Sequence, residues 1–304
     1  MRYSRSGTVA VNTIKKTDKL AFNVIGYVVL GAISLLCLVP FLITLSGSVT
    51  KDSALFEYGY RLIPKMFSLE AYELIFRTPE VIVGAYTVTI LLVVSGTVLG
   101  LFLTAMTAYV LHRRDFKYRN KFSFFFFFTT LFSGGLVPWY LVMINLGLKN
   151  SFLALLLPHL FAVFHIIIMR TFFTGIPESL GESAKIDGAG DLTIFVRLYL
   201  PISLPALSTI GLFIALTYWN DWYQAMLFIT KPSLIPLQYH LYKIFNSMEA
   251  AQIVAQKTGM PVAQMPTETF KLAMTVVVTG PIILVYPFVQ KYFVKGMTVG
   301  AVKG

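Results

Sequence analysis

Residues 175–201 read Gly-Ile-Pro-Glu-Ser-Leu-Gly-Glu-Ser-Ala-Lys-Ile-Asp-Gly-Ala-Gly-Asp-Leu-Thr-Ile-Phe-Val-Arg-Leu-Tyr-Leu-Pro, and their chemistry is that of a charged, shaped surface. The grammar is helix, turn, helix. Pro177 suits a first helical position, and Glu178 and Glu182 place negative charge where the helix dipole favours it or one turn later. Gly188 offers the left-handed residue that ends a short helix, Asp191 is placed to cap the next one, and Pro201 stops it. Leu192, Phe195, Val196 and Tyr199 recur at helical spacing, an apolar stripe on a segment too short to cross a membrane. The result is a compact, preshaped knob in which Glu182, Ser183, Ala184 and Asp187 lead into the Gly188 turn.

Other chemistries find no footing. Gly is never followed by Lys, so the phosphate-cradling G-x-x-x-x-G-K-[ST] loop is absent from the chain. His112, His159, His165 and His240 have no metal-ligand spacing with one another or with carboxylates. Cys37, the single cysteine, cannot form an internal disulfide. These residues give no catalytic group, no metal and no cofactor held by this chain. Asp221 and His165 are the nearest approaches to ionisable groups inside apolar runs, too few for a proton relay.

The elements that must carry the knob are membrane spans. With 304 residues, 56% of them apolar and 13% charged, and a mean hydropathy of +0.72, the chain describes no soluble core. A bilayer core about 30 Å thick needs roughly 20 apolar residues in a helix. Six runs qualify: Leu20 to Leu45, Gly84 to Leu111, Phe122 to Ile144, Phe152 to Phe173, Ile202 to Met226 and Leu272 to Phe293. The net charge of +11 is confined to segments between runs and is a topology signal, not a nucleic-acid footprint. Of the 25 basic residues, 16 fall on one side, among them Arg113, Arg114, Lys117, Arg119 and Lys121 before the third run, so both termini and the 175–201 loop are expected in the cytoplasm. Gly96 and Gly100 form a small-xxx-small pair suited to helix packing, and Phe124 to Phe128 suit lipid or interhelical contact. Pro40, Pro281 and Pro287 are expected to kink their helices.

Glu182-Ser183-Ala184, three residues, Gly188, nine residues, then Leu198-Tyr199-Leu200-Pro201 resembles the EAA loop of ABC importer permeases. The pattern there is E-A-A, three residues, G, nine residues, I-x-L-P, and this chain departs from it at Ser183 and Leu198. The resemblance implies a type I importer permease: an all-α integral membrane protein of six transmembrane helices with a cytoplasmic helix-turn-helix coupling loop. It implies that Glu182 pairs with a basic residue of an ATPase subunit, that Ala184 allows close approach, that Gly188 makes the turn, and that Asp187 orders it or touches the partner. ATP and Mg would be used by that partner.

Trp219-Asn220-Asp221-Trp222 and the terminus Gln290 to Gly304 are similar to the maltose-type carbohydrate branch, smaller membrane subunit. Phe132-Ser-Gly-Gly-Leu-Val-Pro-Trp139 with Leu146 to Asn150 resembles a subgroup handling complex oligosaccharides or polysaccharide fragments. The implied setting is the bacterial cytoplasmic membrane, and the implied partners are a second permease in a heterodimer, two ATPase subunits and an extracytoplasmic sugar-binding protein. By the same resemblance the outward loop Leu227 to Lys271, with Gln252, Gly259 and Gln264 in an irregular exposed segment, would touch the binding protein. Trp219, Asn220, Asp221 and Trp222 are substrate-pathway candidates, although Trp139, Tyr140, Trp219, Trp222 and Tyr223 equally suit an interfacial aromatic belt. The organisation expected is a cytoplasmic tail over 1–19, a permease domain over 20–293 and a C-terminal tail over 294–304 that would reach the ATPases. Two other function classes are opposed by the sequence. A stand-alone secondary sugar transporter is opposed by six spans without a twofold repeat, and an intramembrane enzyme or assembly factor by the lack of a catalytic constellation.

Overall fold

The computed structural model describes the backbone of residues 16–258 and 268–301, and within them the chain is helical, with only a lone antiparallel bridge between Thr50 and Phe67. Helix α1 (Lys16–Ser48) is followed by two short helices, α2 (Asp52–Tyr58) and α3 (Glu70–Ile75), and then by the long α4 (Pro79–His112). Next come α5 (Arg119–Leu131), α6 (Leu136–Asn145), α7 (Phe152–Leu156) and α8 (Val163–Thr174). The knob is α9 (Glu178–Ile186), α10 (Asp191–Ile194) and α11 (Leu200–Ile202), the last two joined by a π-helical turn over Phe195–Tyr199. The chain closes with α12 (Leu204–Asn220), α13 (Tyr223–Phe228), α14 (Leu237–Thr258) and α15 (Glu268–Ala301).

Three helical stretches are long and apolar enough to cross a bilayer unbroken: Phe22–Ser48, Pro79–His112 and Glu268–Val285. Three further stretches qualify only as bent pairs, so the expected third, fourth and fifth spans need correction. The third does not run straight from Phe122 to Ile144, because α5 and α6 meet at 115°. Gly135 at the junction has φ +85°, a conformation open to glycine, and its N–H is held by the Ser133 hydroxyl. Alone, α5 rises only about 20 Å, short of a bilayer core. In the fourth, Phe152–His159 and α8 meet at 45° just after the Leu157–His159 turn that contains Pro158. In the fifth, Asp191–Ile202 turns by 83° into α12 at Ser203, and α12 ends at Asn220, not Met226.

Pro201 acts one residue later than expected, and its effect begins upstream. Its missing N–H cannot pair with a carbonyl one turn back, and the backbone widens there, with the Leu200 N–H bonding to the Phe195 carbonyl. Pro40, Pro281 and Pro287 break nothing, since α1 and α15 run through them as continuous helices. The outward loop is also corrected. Residues 252–258, the start of the segment expected to be irregular out to Gln264, are the end of the 22-residue α14. The helix formers Met248, Glu249, Ala250 and Ala251 just before Gln252 carry the helix on into that polar segment.

The core is built on α4, which packs against α12 and α8. Gly96 and Gly100 lie on the α12 side, as close-packing residues should. Tyr218 fills the notch at Gly96, and its hydroxyl donates to the Leu156 carbonyl at 2.7 Å. A second apolar cluster, with Ala71, Ile82, Trp219, Leu237 and Met274, joins α3, α12, α14 and α15 to the N-terminal end of α4. An 18-residue apolar window of α1 has no buried residue, which suits lipid as its solvent. Phe124, Phe125, Phe127 and Phe128 are exposed too, while Phe126 packs on Phe161 at 5.3 Å.

Candidate functional site

The turn of the knob is built as its sequence directs. Gly188 has φ +82°, its N–H bonds to the Lys185 carbonyl at 3.0 Å, and the Ala189 N–H bonds to the Ala184 carbonyl at 2.9 Å. This pair of bonds is the Schellman arrangement, which satisfies the last carbonyls of α9. Pro177 stands just before the first residue of α9, with Glu178 in the first turn. Glu182, Ser183 and Asp187 are exposed, Ala184 is half-buried, and Pro201 is exposed near the membrane-side corner. Beside them Ile186 is 86% exposed, an apolar tip next to a carboxylate. Among the described residues Glu182 forms no ion pair. Glu182, Ser183, Ala184, Asp187 and Gly188 thus follow one another along α9 and its turn, and Pro201 lies at the far end of the second knob helix.

The inner face of the knob belongs to the core of the spans. Ile194, Phe195 and Tyr199 are buried, whereas Leu192 and Val196 of the same stripe face outward. Tyr109 of α4 lies 4.9 Å from Tyr199 and 5.2 Å from Phe195, ring centre to ring centre, and Phe173 of α8 is 5.4 Å from Tyr199. Aromatic contacts of this kind add to the area they bury.

A charged layer lies over these rings. Arg113, just past the end of α4, pairs with Asp115, its Nε donating to Asp115 Oδ1 at 2.8 Å, and its Nη1 reaches Asp191 Oδ1 at 2.5 Å. Lys185 adds contacts to Asp115 at 3.4 Å and to Asp191 at 3.9 Å. The Arg113 guanidinium holds the Asp115 carboxyl far below the usual carboxylate range, and the two carboxylates raise Arg113 further. Arg114 pairs with Glu178 at 2.7 Å. The expected role of Asp191 as a backbone cap is thus corrected: Gly190 precedes the helix, Asp191 is its first residue, and the carboxylate goes to Arg113. Between α4 and α9 the layer walls a cleft of about 200 Å³, lined by Arg113, Arg114, Asp115, Glu178, Glu182 and Lys185 among others. Sequence reasoning counted these arginines only as topology signal. The hint it passed over was an acid, Asp115, directly after an arginine pair.

The pathway candidates diverge. Trp219 is turned inward, 8% exposed, and lines an apolar cleft of about 410 Å³ with Val93, Gly211 and Pro281. Asn220 bonds back to the Leu216 carbonyl at 3.0 Å. Asp221 caps α13, accepting from the N–H groups of Tyr223 and Gln224 at 3.1 and 3.2 Å, which is why the fifth apolar run breaks there. Its other oxygen lies 3.3 Å from His159 Nε2. Trp222 stacks on Tyr242 of α14 at 4.2 Å. Of the binding-protein candidates, Gln252 lies on α14, and Gly259 and Gln264 lie outside the described residues.

A second polar feature ties distant parts of the chain together. Asn150, at φ +58°, accepts with one oxygen from the N–H groups of Thr230 and Lys231 at 2.6 and 3.0 Å, clasping the chain after α6 to the end of α13. Asn150→Ala is expected to cost about 1–2 kcal/mol, from lost hydrogen bonds and a left-handed backbone that alanine disfavours. Asn150→Gly should cost less, because it loses only the bonds. Thermal unfolding of the purified protein in detergent checks the order, and equal losses would remove the backbone part of the account.

No family model matches the chain. Over 285 residues it is 41% identical to the polygalacturonan/rhamnogalacturonan transport system permease protein YtcP of Bacillus subtilis, a match covering 93% of this chain and 98% of that one. The trehalose/maltose transport system permease protein MalG of Thermococcus litoralis is 26% identical over 285 residues, covering 91% of this chain and 96% of that one. Among solved structures, a chain from the crystal structure of a bacterial ABC transporter involved in the import of the acidic polysaccharide alginate has a TM-score of 0.78 at 31% identity, covering 92% of this chain and 99% of that one.

Proposed function

Because the chain belongs to the family of sugar ABC transporter permeases, we propose that it is one half of a translocation pathway in the bacterial cytoplasmic membrane, driven by ATP that partner subunits hydrolyse. The partners proposed are a second permease in a heterodimer, two ATPase subunits using ATP and Mg, and an extracytoplasmic sugar-binding protein. Both termini and the knob are assigned to the cytoplasm from the distribution of Lys and Arg. The observation that carries the reading is the knob, a rigidly capped turn presenting an unpaired carboxylate at Glu182 beside the bare apolar tip of Ile186. An ion pair enclosed by apolar contact is how a force-bearing joint gains strength, since exclusion of water raises the worth of the charge.

We assign the cargo to oligosaccharides released from an acidic polysaccharide. The support is that YtcP is named for polygalacturonan and rhamnogalacturonan and that the alginate importer is described by an acidic polysaccharide. The outward loop, with α14 and the residues that follow it, is proposed as the contact for the binding protein.

Glu182→Lys tests the docking role. The side chain is exposed and no ion pair among the described residues is lost, so the variant should reach the membrane at the normal level. Like charges at the joint should abolish the stimulation of ATP hydrolysis by the binding protein in the reconstituted complex. Unchanged stimulation would sink the assignment.

A further inference from the structure

The charged layer around Arg113 lies between the docking residues and the packed spans, and it has a job of its own. We propose that Arg113 is a positioning residue that makes the 175–201 loop and α4 move as one body, so that a push on the knob reaches α4 and, through the Gly96 and Tyr218 contact, α12. This inference rests on the docking reading above.

The geometry gives Arg113 this part for three reasons. It sits at the C-terminus of α4, where carbonyl ends favour a cation, and its partner Asp191 opens α10, where N–H ends favour an anion, so the pair joins two helix ends of complementary sign. Arg113 is only 20% exposed and spans two carboxylates, Asp115 with two nitrogens and Asp191 with a third, which a point charge such as Lys cannot do. By contrast Arg114, 76% exposed, adds little through Glu178, because water screens the pair. Lastly, Gly188 and Gly190 separate the two knob helices, and half of the second helix's stripe, Leu192 and Val196, is exposed. Beside the apolar contacts of Ile194, Phe195, Leu198, Tyr199 and Leu200, Asp191 adds the ion pair that ties the start of that helix to the end of α4.

Spin labels in a Cys37→Ser background test this in the full complex with its ATPases. One label replaces the exposed knob residue Ile186 and the other the exposed α4 residue Val98. In the parent chain the distance between them is expected to stay fixed when ATP, Mg and vanadate trap the ATPases closed, and in Arg113→Ala that fixed distance should be lost, with Arg113→Lys between. An Arg113→Ala distance as constant as the parent's, or a parent distance that changes on trapping, would overturn the proposal. If Arg113→Ala fails to assemble, Asp191→Asn, which keeps the shape and removes the charge, decides by the same two outcomes. A pair at Ile186 and Leu36 of α1 separates the two ideas. Should that distance stay still in the parent on trapping, the docking reading fails, while the resting width of the Ile186 to Val98 distance in Arg113→Ala still judges the joint.

Discussion

Replacing Gly96 with alanine is expected to destabilise the protein more than any other single methyl addition at a described glycine. A Cβ there would lie 2.1, 2.4 and 2.5 Å from three carbons of the Tyr218 ring. The ring cannot swing aside, for Tyr218 is 2% exposed and its hydroxyl is tied to the Leu156 carbonyl. Either α4 and α12 separate or the hydrogen bond breaks, and overpacking of this kind costs about 1–3 kcal/mol. Gly100, one turn along the same helix face, is the internal control. Its Cβ would meet Ile214 at 3.4 Å, ordinary contact, and alanine is the better helix former, so Gly100→Ala should be neutral or slightly stabilising. Gly211→Ala falls between them, since the atom it meets at 3.0 Å is the flexible end of Leu101. Thermal unfolding in detergent gives the order directly. Tyr218→Ala is expected to relieve the Gly96→Ala penalty in a double-mutant cycle, and additive losses would mean that the two residues do not touch.

What the sequence disclosed and what it hid divide along one physical line. Features set by neighbours in the chain were legible: the apolar runs, the small-residue pair at Gly96 and Gly100, and the Gly188 turn, whose left-handed backbone follows from the residue type. Features set by contacts between distant residues were not. Nothing near Asp191 reveals that Arg113 will claim its carboxylate, so a capping role was the natural reading, and nothing near Asn150 announces Thr230 and Lys231. A third group was legible and outvoted. Ser133, Gly134 and Gly135 are turn formers, and Asp221 is a good capping residue, but each sits in an apolar run long enough to count as one span, and hydropathy averaged over twenty residues conceals a break of two or three. The described helices give three unbroken stretches, or up to six if each bent pair counts as one, so the averaging hid the breaks in the third, fourth and fifth runs.

Gly188→Val is expected to abolish ATP-driven transport while leaving the protein in the membrane, and the reason lies in the backbone. No atom among the described residues lies within 4 Å of where a Cβ would stand, so the added carbon itself meets no neighbour. The cost arises from φ +82°, which L-residues resist by roughly 1–2 kcal/mol and β-branched ones by more. A helix as short as α9, nine residues, has little stability of its own and depends on its caps. If residue 188 leaves the left-handed region, the bonds from Gly188 and Ala189 to the Lys185 and Ala184 carbonyls go with it, and the Glu182 carboxylate and the second knob helix lose their fixed relation. The spans do not share in this change, because the turn lies outside them. The expectation is therefore graded: Gly188→Asn close to the parent, since asparagine tolerates this conformation, Gly188→Ala impaired, and Gly188→Val inactive, all three at equal membrane level. Binding-protein-stimulated ATP hydrolysis of the reconstituted complex reads the series. Asparagine failing as badly as valine would show that the glycine is required for room beside a partner and not for its backbone, and would move the explanation from the turn to the docking surface.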